Sequence, residues 1–380
     1  MSKFIALPVG QGDAFYLERE DFRVLVDGGK SKTAISPWMQ YICKIDQLDV
    51  LICTHNDADH ANGVIGLLEN WDGIVTEVWL PGSWTYRMKD LFLNPARFYE
   101  ELINKSMKAA ELGKRLEYPS LERLGGCKEI SSKEKDLTES DSFDLRELVD
   151  TTDHFVDCSF FEDDFGFYPY HRYIFCHLSP IHRLIFETLS AANNITNIVS
   201  LAYDRGCAIR FFEFGKAVSG GRPGSLVPVN SGEMLTLKSK AIDALTYLAL
   251  TTANKESLAF LSPEDERNPA VLFTADSDLN FPLPSTAPRR GPIITGPHHG
   301  SEDNANAYGV VQKWLTSKVT PIWVRSDCKT NKRPGNSFIS QRRKYCTLCN
   351  CGTHPKQTIE LHSSGNNWSA TAGTRSCSCR

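Results

Sequence analysis

The sequence predicts an α+β fold in which several strands carry ionisable residues to one sheet edge, interrupted by a long, partly helical segment. Two observations predict it. Short apolar runs end repeatedly on an acid or a histidine: Val24-Leu25-Val26 on Asp27, Leu48 to Cys53 on the stretch His55-Asn56-Asp57-Ala58-Asp59-His60, Val271-Leu272-Phe273 on Asp276, and Ile293-Ile294-Thr295 on the pair His298-His299. Such runs, bounded by turn residues, read as buried strands that present their last residues to a shared site. Between the second and third runs the strand pattern lapses, and from Met88 to Leu124 the residues Leu91, Phe98, Leu102 and Met107 recur at helical spacing among Lys, Glu and Arg.

Taken in chain order, Val9-Gly10-Gln11-Gly12-Asp13 followed by Ala14 to Leu17 reads as strand, tight glycine turn and strand, and Asp27-Gly28-Gly29 closes the next strand on an acid and two glycines. The stretch from His55 to His60 is the densest chemical signal, with two imidazoles and two carboxylates within six residues. Imidazole and carboxylate in alternation suit a first-row divalent ion, and such a group can serve two ions when later loops complete each shell. As a polar cap on a helix starting near Ala61 it would account for one carboxylate, not for four donors. Gly125 to Asp150 is charged and Ser-rich, a loop or linker, while Phe155 to Phe186 is rich in Phe and Tyr that either pack the insertion or offer a base-stacking surface. The expected organisation is a first half of the main fold at 1–83, an inserted cap at 84–190, a second half at 191–345 and a Cys-rich tail at 346–380.

Composition sets the outer bounds. With 380 residues, 41% hydrophobic and 23% charged, the chain can bury a full core. The first residues show no basic leader or apolar core, and no apolar run approaches the roughly 18 residues of a membrane span. A soluble cytoplasmic protein is the expectation, with the twelve cysteines as thiols or metal ligands. A net charge of -4 does not advertise nucleic-acid binding, yet Arg325, Lys329, Lys332, Arg333, Arg342, Arg343 and Lys344 share one stretch with a single acid, Asp327. Such a strip suits contact with a phosphodiester backbone, or is a solvated face. In the tail, Cys346, Cys349, Cys351, His354, Cys377 and Cys379 are soft donors from which four would hold a structural zinc, the alternative being unligated thiols.

The order Gly10-Gln11-Gly12-Asp13, Val26-Asp27-Gly28-Gly29, Thr54-His55-Asn56-Asp57-Ala58-Asp59-His60, Thr274-Ala275-Asp276 and Pro297-His298-His299-Gly300-Ser301 resembles the metallo-β-lactamase fold. More narrowly, it is similar to the hydrolase domain of the ComEC DNA-uptake proteins and their free-standing relatives, over residues 1–82 and about 193–362. The resemblance implies a four-layer αββα sandwich with a dimetal site at one edge, filled by zinc, manganese or magnesium. It implies that Asp27 orients the histidine loop, that His55 and Asp57 serve one metal, and that Asp59 and His60 serve the other. Asp276 would bridge them and His298-His299 would supply a further ligand. Asp59 or Asp276 would take the proton, and a histidine of that pair not bound to metal would protonate the leaving group. Asp57 stands where most of the wider fold has histidine, and this harder ligand favours phosphate ester chemistry. The wider fold also has a middle histidine where this chain reads Asn193 to Leu201; His154, His171, His177 or His182 would have to substitute. Asn197 of that stretch is assigned, with Arg333, Arg342 and Arg343, to substrate contact. The resemblance implies a nuclease acting on DNA or RNA, of the kind found as effectors in anti-phage modules such as the AVAST systems, where a protein partner controls activity. A small-molecule phosphodiesterase, another ester hydrolase or a silent regulatory module are the alternatives.

Overall fold

The computed structural model describes residues 2–111, 142–143, 180–215, 217–328, 330, 333–348, 357–365 and 367–379. Apart from Ser142 and Phe143, the Ser-rich stretch from Gly125 lies outside them, as does most of the aromatic stretch from Phe155. The strands in chain order are β1 (Lys3–Ala6), β2 (Phe15–Arg19), β3 (Phe22–Val26), β4 (Gln47–Ile52), β5 (Ile74–Pro81), β6 (Ser142–Phe143), β7 (Ala208–Phe214), β8 (Val227–Pro228), β9 (Ser231–Glu233), β10 (Leu237–Lys238), β11 (Phe260–Ser262), β12 (Val271–Phe273), β13 (Ile293–Thr295), β14 (Ile322–Arg325), β15 (Lys344–Cys346), β16 (Ile359–Ser364) and β17 (Asn367–Ala370). They build a nine-stranded sheet ordered β17-β16-β1-β2-β3-β4-β5-β7-β9, a six-stranded sheet ordered β15-β14-β13-β12-β11-β8 and a two-stranded pair, β10-β6.

Two units divide the chain: 1–81 with 201–233 and 254–380, and 82–200 with 234–253. The first unit contains both large sheets. In β3 and β4, Val24, Leu25, Val26, Val50, Leu51 and Ile52 are all buried, the pattern of strands covered on both faces. One face of each sheet meets the other in a core of Phe4, Phe15, Val24, Val50 and Trp79 against Phe260, Val271, Phe273, Ile293 and Ile322. Aromatic pairs cross this layer, Phe4 with Phe273 at 6.2 Å and Trp79 with Phe260 at 5.5 Å. On the outer face of the second sheet, Leu272, Ile294 and Trp323 pack with Ala307, Tyr308 and Val311 of the helix Ala305–Trp314. On the outer face of the first lies the helix Ala58–Asn70, which buries Ala61, Val64, Ile65, Leu67 and Leu68. Gly63 of this helix donates to the Gly29 carbonyl at 2.8 Å, and a Cβ on Gly63 would fall 1.9 Å from the Gly28 carbonyl oxygen, so helix and sheet meet backbone to backbone. The result is the expected αββα order within an α+β fold.

The Cys-rich tail contributes strands to the main fold. Its β16 and β17 extend the first sheet beyond β1, because Ile359, Leu361 and Trp368 bury into the intersheet core. In the second unit, Arg87 donates to Glu101 at 2.9 Å and to the Ile242 carbonyl, and Tyr247 donates to the Trp84 carbonyl at 2.6 Å. These bonds tie the segment 234–253 to the stretch after Pro81. The helix Pro180–Asp204 runs unbroken through residues 190 and 191, where a boundary was expected.

Candidate metal centre

Parallel pairing explains why the donors meet. β3 and β4 run in register, Val26 beside Ile52, so the residues after each strand leave the sheet side by side. β12, β13 and β14 do the same in the second sheet, with Leu272 beside Ile294 and Ile294 beside Trp323. Thr274 and Thr295 lock these ends, the Thr274 amide donating to Thr295 Oγ1 at 2.8 Å, and the His298 amide donates to the Ala275 carbonyl at 3.0 Å. Five of the eight non-glycine residues with positive φ among the described residues are here: Asp27, Ala275, His298, His299 and Asp327. Such backbone costs about 1–3 kcal/mol per residue and persists only where surrounding bonds fix it.

Asp27 accepts hydrogen bonds from the Thr54 amide and hydroxyl at 2.8 Å each, and its Oδ2 lies 2.8 Å from His60 Nδ1. That leaves His60 Nε2 pointing inward, 3.2 Å from His299 Nε2 and 3.2 Å from Asp276 Oδ1. His299 is held the same way from the other side: its Nδ1 lies 3.0 Å from Asp13 Oδ1, and its carbonyl accepts from Arg325 Nε at 2.8 Å. Asp13, His60, Asp276 and His299 thus form one buried donor group. A second group, His55, Asp57 and Asp276, uses the other oxygen of Asp276, with His55 Nε2 at 3.8 Å from Asp276 Oδ2 and 3.6 Å from Asp57 Oδ2.

Asp59 joins at the rim, its Oδ2 3.5 Å from His299 Nε2 and 3.8 Å from Arg333 Nη1. His298 is the more exposed of its pair at 23%, with Nε2 3.5 Å from Asp276 Oδ2 and 3.4 Å from Asn254 Nδ2. Gly12 passes so close to this loop that a Cβ there would sit 1.7 Å from the Asp59 carbonyl oxygen, and its φ of +100° suits glycine alone.

The electrostatics follow from burial among alternating charges. Burial alone would raise the Asp276 carboxyl, but His299 and His60 hold it well below the usual range, and the same two histidines lower Asp59. Burial opposes charge on His299 as well, yet Asp13 and Asp276 push it up to about 9. Asp27 and Asp276 raise His60 in the same way, whereas for Asp13 burial wins and its carboxyl is raised.

These residues fit divalent ions. His55 Nε2, Asp276 Oδ1 and both oxygens of Asp13 are buried without a hydrogen bond, although imidazole nitrogens lie within 3.2 Å of Asp276 Oδ1 and 3.0 Å of Asp13 Oδ1. Lone pairs that converge without bonding to one another are arranged as ligands about a shared point. Unpaired buried carboxylates are costly, and cations remove that cost. The three distances among His60 Nε2, His299 Nε2 and Asp276 Oδ1, 3.2–3.4 Å, are close to the edges of a tetrahedron with bonds of about 2.1 Å. The group around His55 and Asp57 offers three protein donors without a middle histidine, the number that leaves a catalytic ion an open position. His154, His171 and His177 lie outside the described residues, as does the side chain of His182.

Asp13 had no role legible in the sequence, although it closes the Gly10-Gln11-Gly12-Asp13 motif; no strand ends there, so the acid carried no visible direction. Cations adjacent in the sequence are separated by the fold. Arg325 is fully buried and grips His299 and Asp327, while Arg333, 14% exposed, reaches the rim through Asp327 and Asp59. Arg342 is exposed, and Arg343 leans on the Trp368 carbonyl at 3.4 Å. Asn197 is half-buried on the helix of the second unit, and Lys329 and Lys332 lie outside the described residues.

Residues 7–154 match the family model of the metallo-beta-lactamase superfamily. No curated protein matches the chain. The match supports a hydrolase of this fold, and the buried Asp/His cluster can hold the divalent metals typical of it. No described helix is long and apolar enough to cross a membrane.

Proposed function

We propose that this chain is a metal-dependent phosphodiesterase whose substrate is a nucleic acid strand. The observation that supports it most is the sharing of Asp276 by two donor groups, with the guanidinium of Arg333 beside Asp59 at their rim. His60, His299 and Asp276, with Asp13 or Asp59, would hold one ion, and His55, Asp57 and Asp276 the other. Such a pair supplies Lewis acidity and a nucleophilic water at neutral pH.

The chain's own residues supply the rest. Asp27 fixes the ring orientation of His60 through its Nδ1, the arrangement that keeps Nε2 free to bind, and the Asp13 carboxylate stands 3.0 Å from His299 Nδ1. Arg333 is placed to pair with a phosphate oxygen and to orient the diester over the centre. Asp59, kept ionised by its histidine neighbours, accepts the proton released on attack. His298 faces solvent and donates a proton to the leaving oxygen. Five aspartates among the donors and their supports make an oxygen-rich set, which shifts preference from zinc alone toward manganese or magnesium acting on phosphate.

The test is incubation of the purified chain with plasmid, single-stranded DNA, RNA and a chromogenic diester, each with Mn, Mg, Zn or chelator. Metal-dependent cleavage of a polymer, absent in Asp276→Asn, is the expected result. Turnover of the small diester alone would move the substrate to a small phosphodiester, and no hydrolysis with the metal sites filled would remove the reading.

A further inference from the structure

We propose that the thiols of Cys346, Cys377 and Cys379 bind a structural soft divalent ion, zinc by preference, that fastens the C-terminal segment to the edge of the second sheet. The three sulfurs lie within 4.8 Å of one another, and Cys346 Sγ is 3.5 Å from Cys379 Sγ. Thiolates around zinc, with bonds of about 2.3 Å, stand about 3.8 Å apart in a tetrahedron. The group contains no carboxylate and no imidazole, in contrast to the oxygen-rich centre. A disulfide would use two of the three sulfurs; an ion uses all three, each thiol releasing its proton on binding. In the sequence Cys349, Cys351 and His354 follow Cys346 by three, five and eight residues, and they lie outside the described residues.

The backbone is already drawn together there. The Cys377 amide donates to the Lys344 carbonyl at 2.8 Å. Gln357 Nε2 donates to the Cys346 carbonyl at 2.8 Å and to the Arg375 carbonyl at 3.2 Å, and Gln357 Oε1 accepts from the Arg375 amide at 3.3 Å. Three stretches of chain therefore meet at β15, which is the edge strand of its sheet. An edge fastened in this way is protected from slippage and from pairing with another chain. The same strand supports the first centre at one remove, since Cys346 pairs in register with Arg325, whose Nε holds the His299 carbonyl.

The experiment uses the full chain, purified under reducing conditions and loaded with cobalt alone or zinc alone. A thiolate-to-cobalt charge-transfer band is expected in the wild-type chain and in Asp276→Asn, because the thiol site is independent of the acid-histidine centre. Cys377→Ser and Cys379→Ser should each lose the band and one zinc per chain, and Cys379→Ser, at a half-buried position, should stay folded. Cys207→Ser, a buried thiol elsewhere, should keep both signals. The proposal is overturned by a wild-type chain without the band, by a band that survives in both Cys377→Ser and Cys379→Ser, or by an intact mass two hydrogens light that shows a disulfide instead. Hydrolysis enters none of these readouts, so this idea and the proposed activity fail separately.

Discussion

The two oxygens of Asp276 face unlike surroundings. Around Oδ1 stand His60, His299 and Asp13, all buried, with each imidazole backed by its own aspartate. Around Oδ2 stand His55, Asp57 and His298, of which Asp57 and His298 reach solvent, and the Asn254 amide stands beside the same His298 Nε2 that faces Asp276. The first side is organised for holding an ion, and the second for exchange with substrate and water. Fixed, paired ligands resist loss of metal, whereas a partly exposed three-donor position leaves room for chemistry.

The contrast is broken most severely at the shared residue. Asp276→Asn should abolish hydrolysis and empty both sides, read as metal per chain. Full metal content in this variant would mean that the two groups do not share a ligand. Next in size, His298→Gln should lower kcat by about 10²–10⁴-fold, the usual contribution of a general acid, with metal content unchanged. A nitrophenyl diester, whose leaving group needs no proton, should be cleaved nearly as before; equal loss on both substrates would make His298 a ligand. Smaller again, Asp27→Asn and Asp13→Asn should weaken binding on the inner side by about 10–100-fold, as expected for carboxylates that orient a ligating histidine.

The pH dependence is the finest probe. In the metal-free protein His299 is raised from 6.5 to about 9, so it carries a proton through neutral pH. A raised pKa stabilises the fold fully below the unfolded value and loses that contribution as pH climbs through the folded one. The metal-free melting temperature should therefore fall between about pH 6.5 and 9. Metal must displace the same proton, so apparent affinity should rise over this window, by up to tenfold per unit for the proton released. Calorimetry in two buffers of different ionisation enthalpy would reveal the proton; its absence would place His299 outside the ligand set.

Much of this architecture was legible because a strand declares its end. Apolar runs that stop on Asp27, His55 and Asp276 marked the ligand edge, since parallel neighbours in register leave a sheet on the same side. Partnership was less visible. Asp13 sits on a glycine turn with no periodic context, and its value appears only when His299 is brought beside it. The cations from Arg325 to Lys344 are adjacent in sequence, but Arg325 closes a buried strand and turns inward while Arg342 lies on an exposed bend. Charge density along a chain says nothing of which face each side chain takes. The return of 234–253 to the second unit carried no signal either, because its bonds to Glu101 and Trp84 are contacts at long range.

That range has a consequence for how the protein is made. His60 and His299 are 239 residues apart, and the Gly12 amide reaches Asp327 across 315. A ribosome adding about 5–20 residues each second releases the whole His55–His60 loop many seconds before its partners exist. Through that interval the loop has imidazoles and carboxylates but no closed shell, so metal acquired early would be held loosely and in the wrong company. The centre can fill correctly only after the two sheets dock, which makes metal capture a late event and gives a sensitive report of whether synthesis has ended in the native topology.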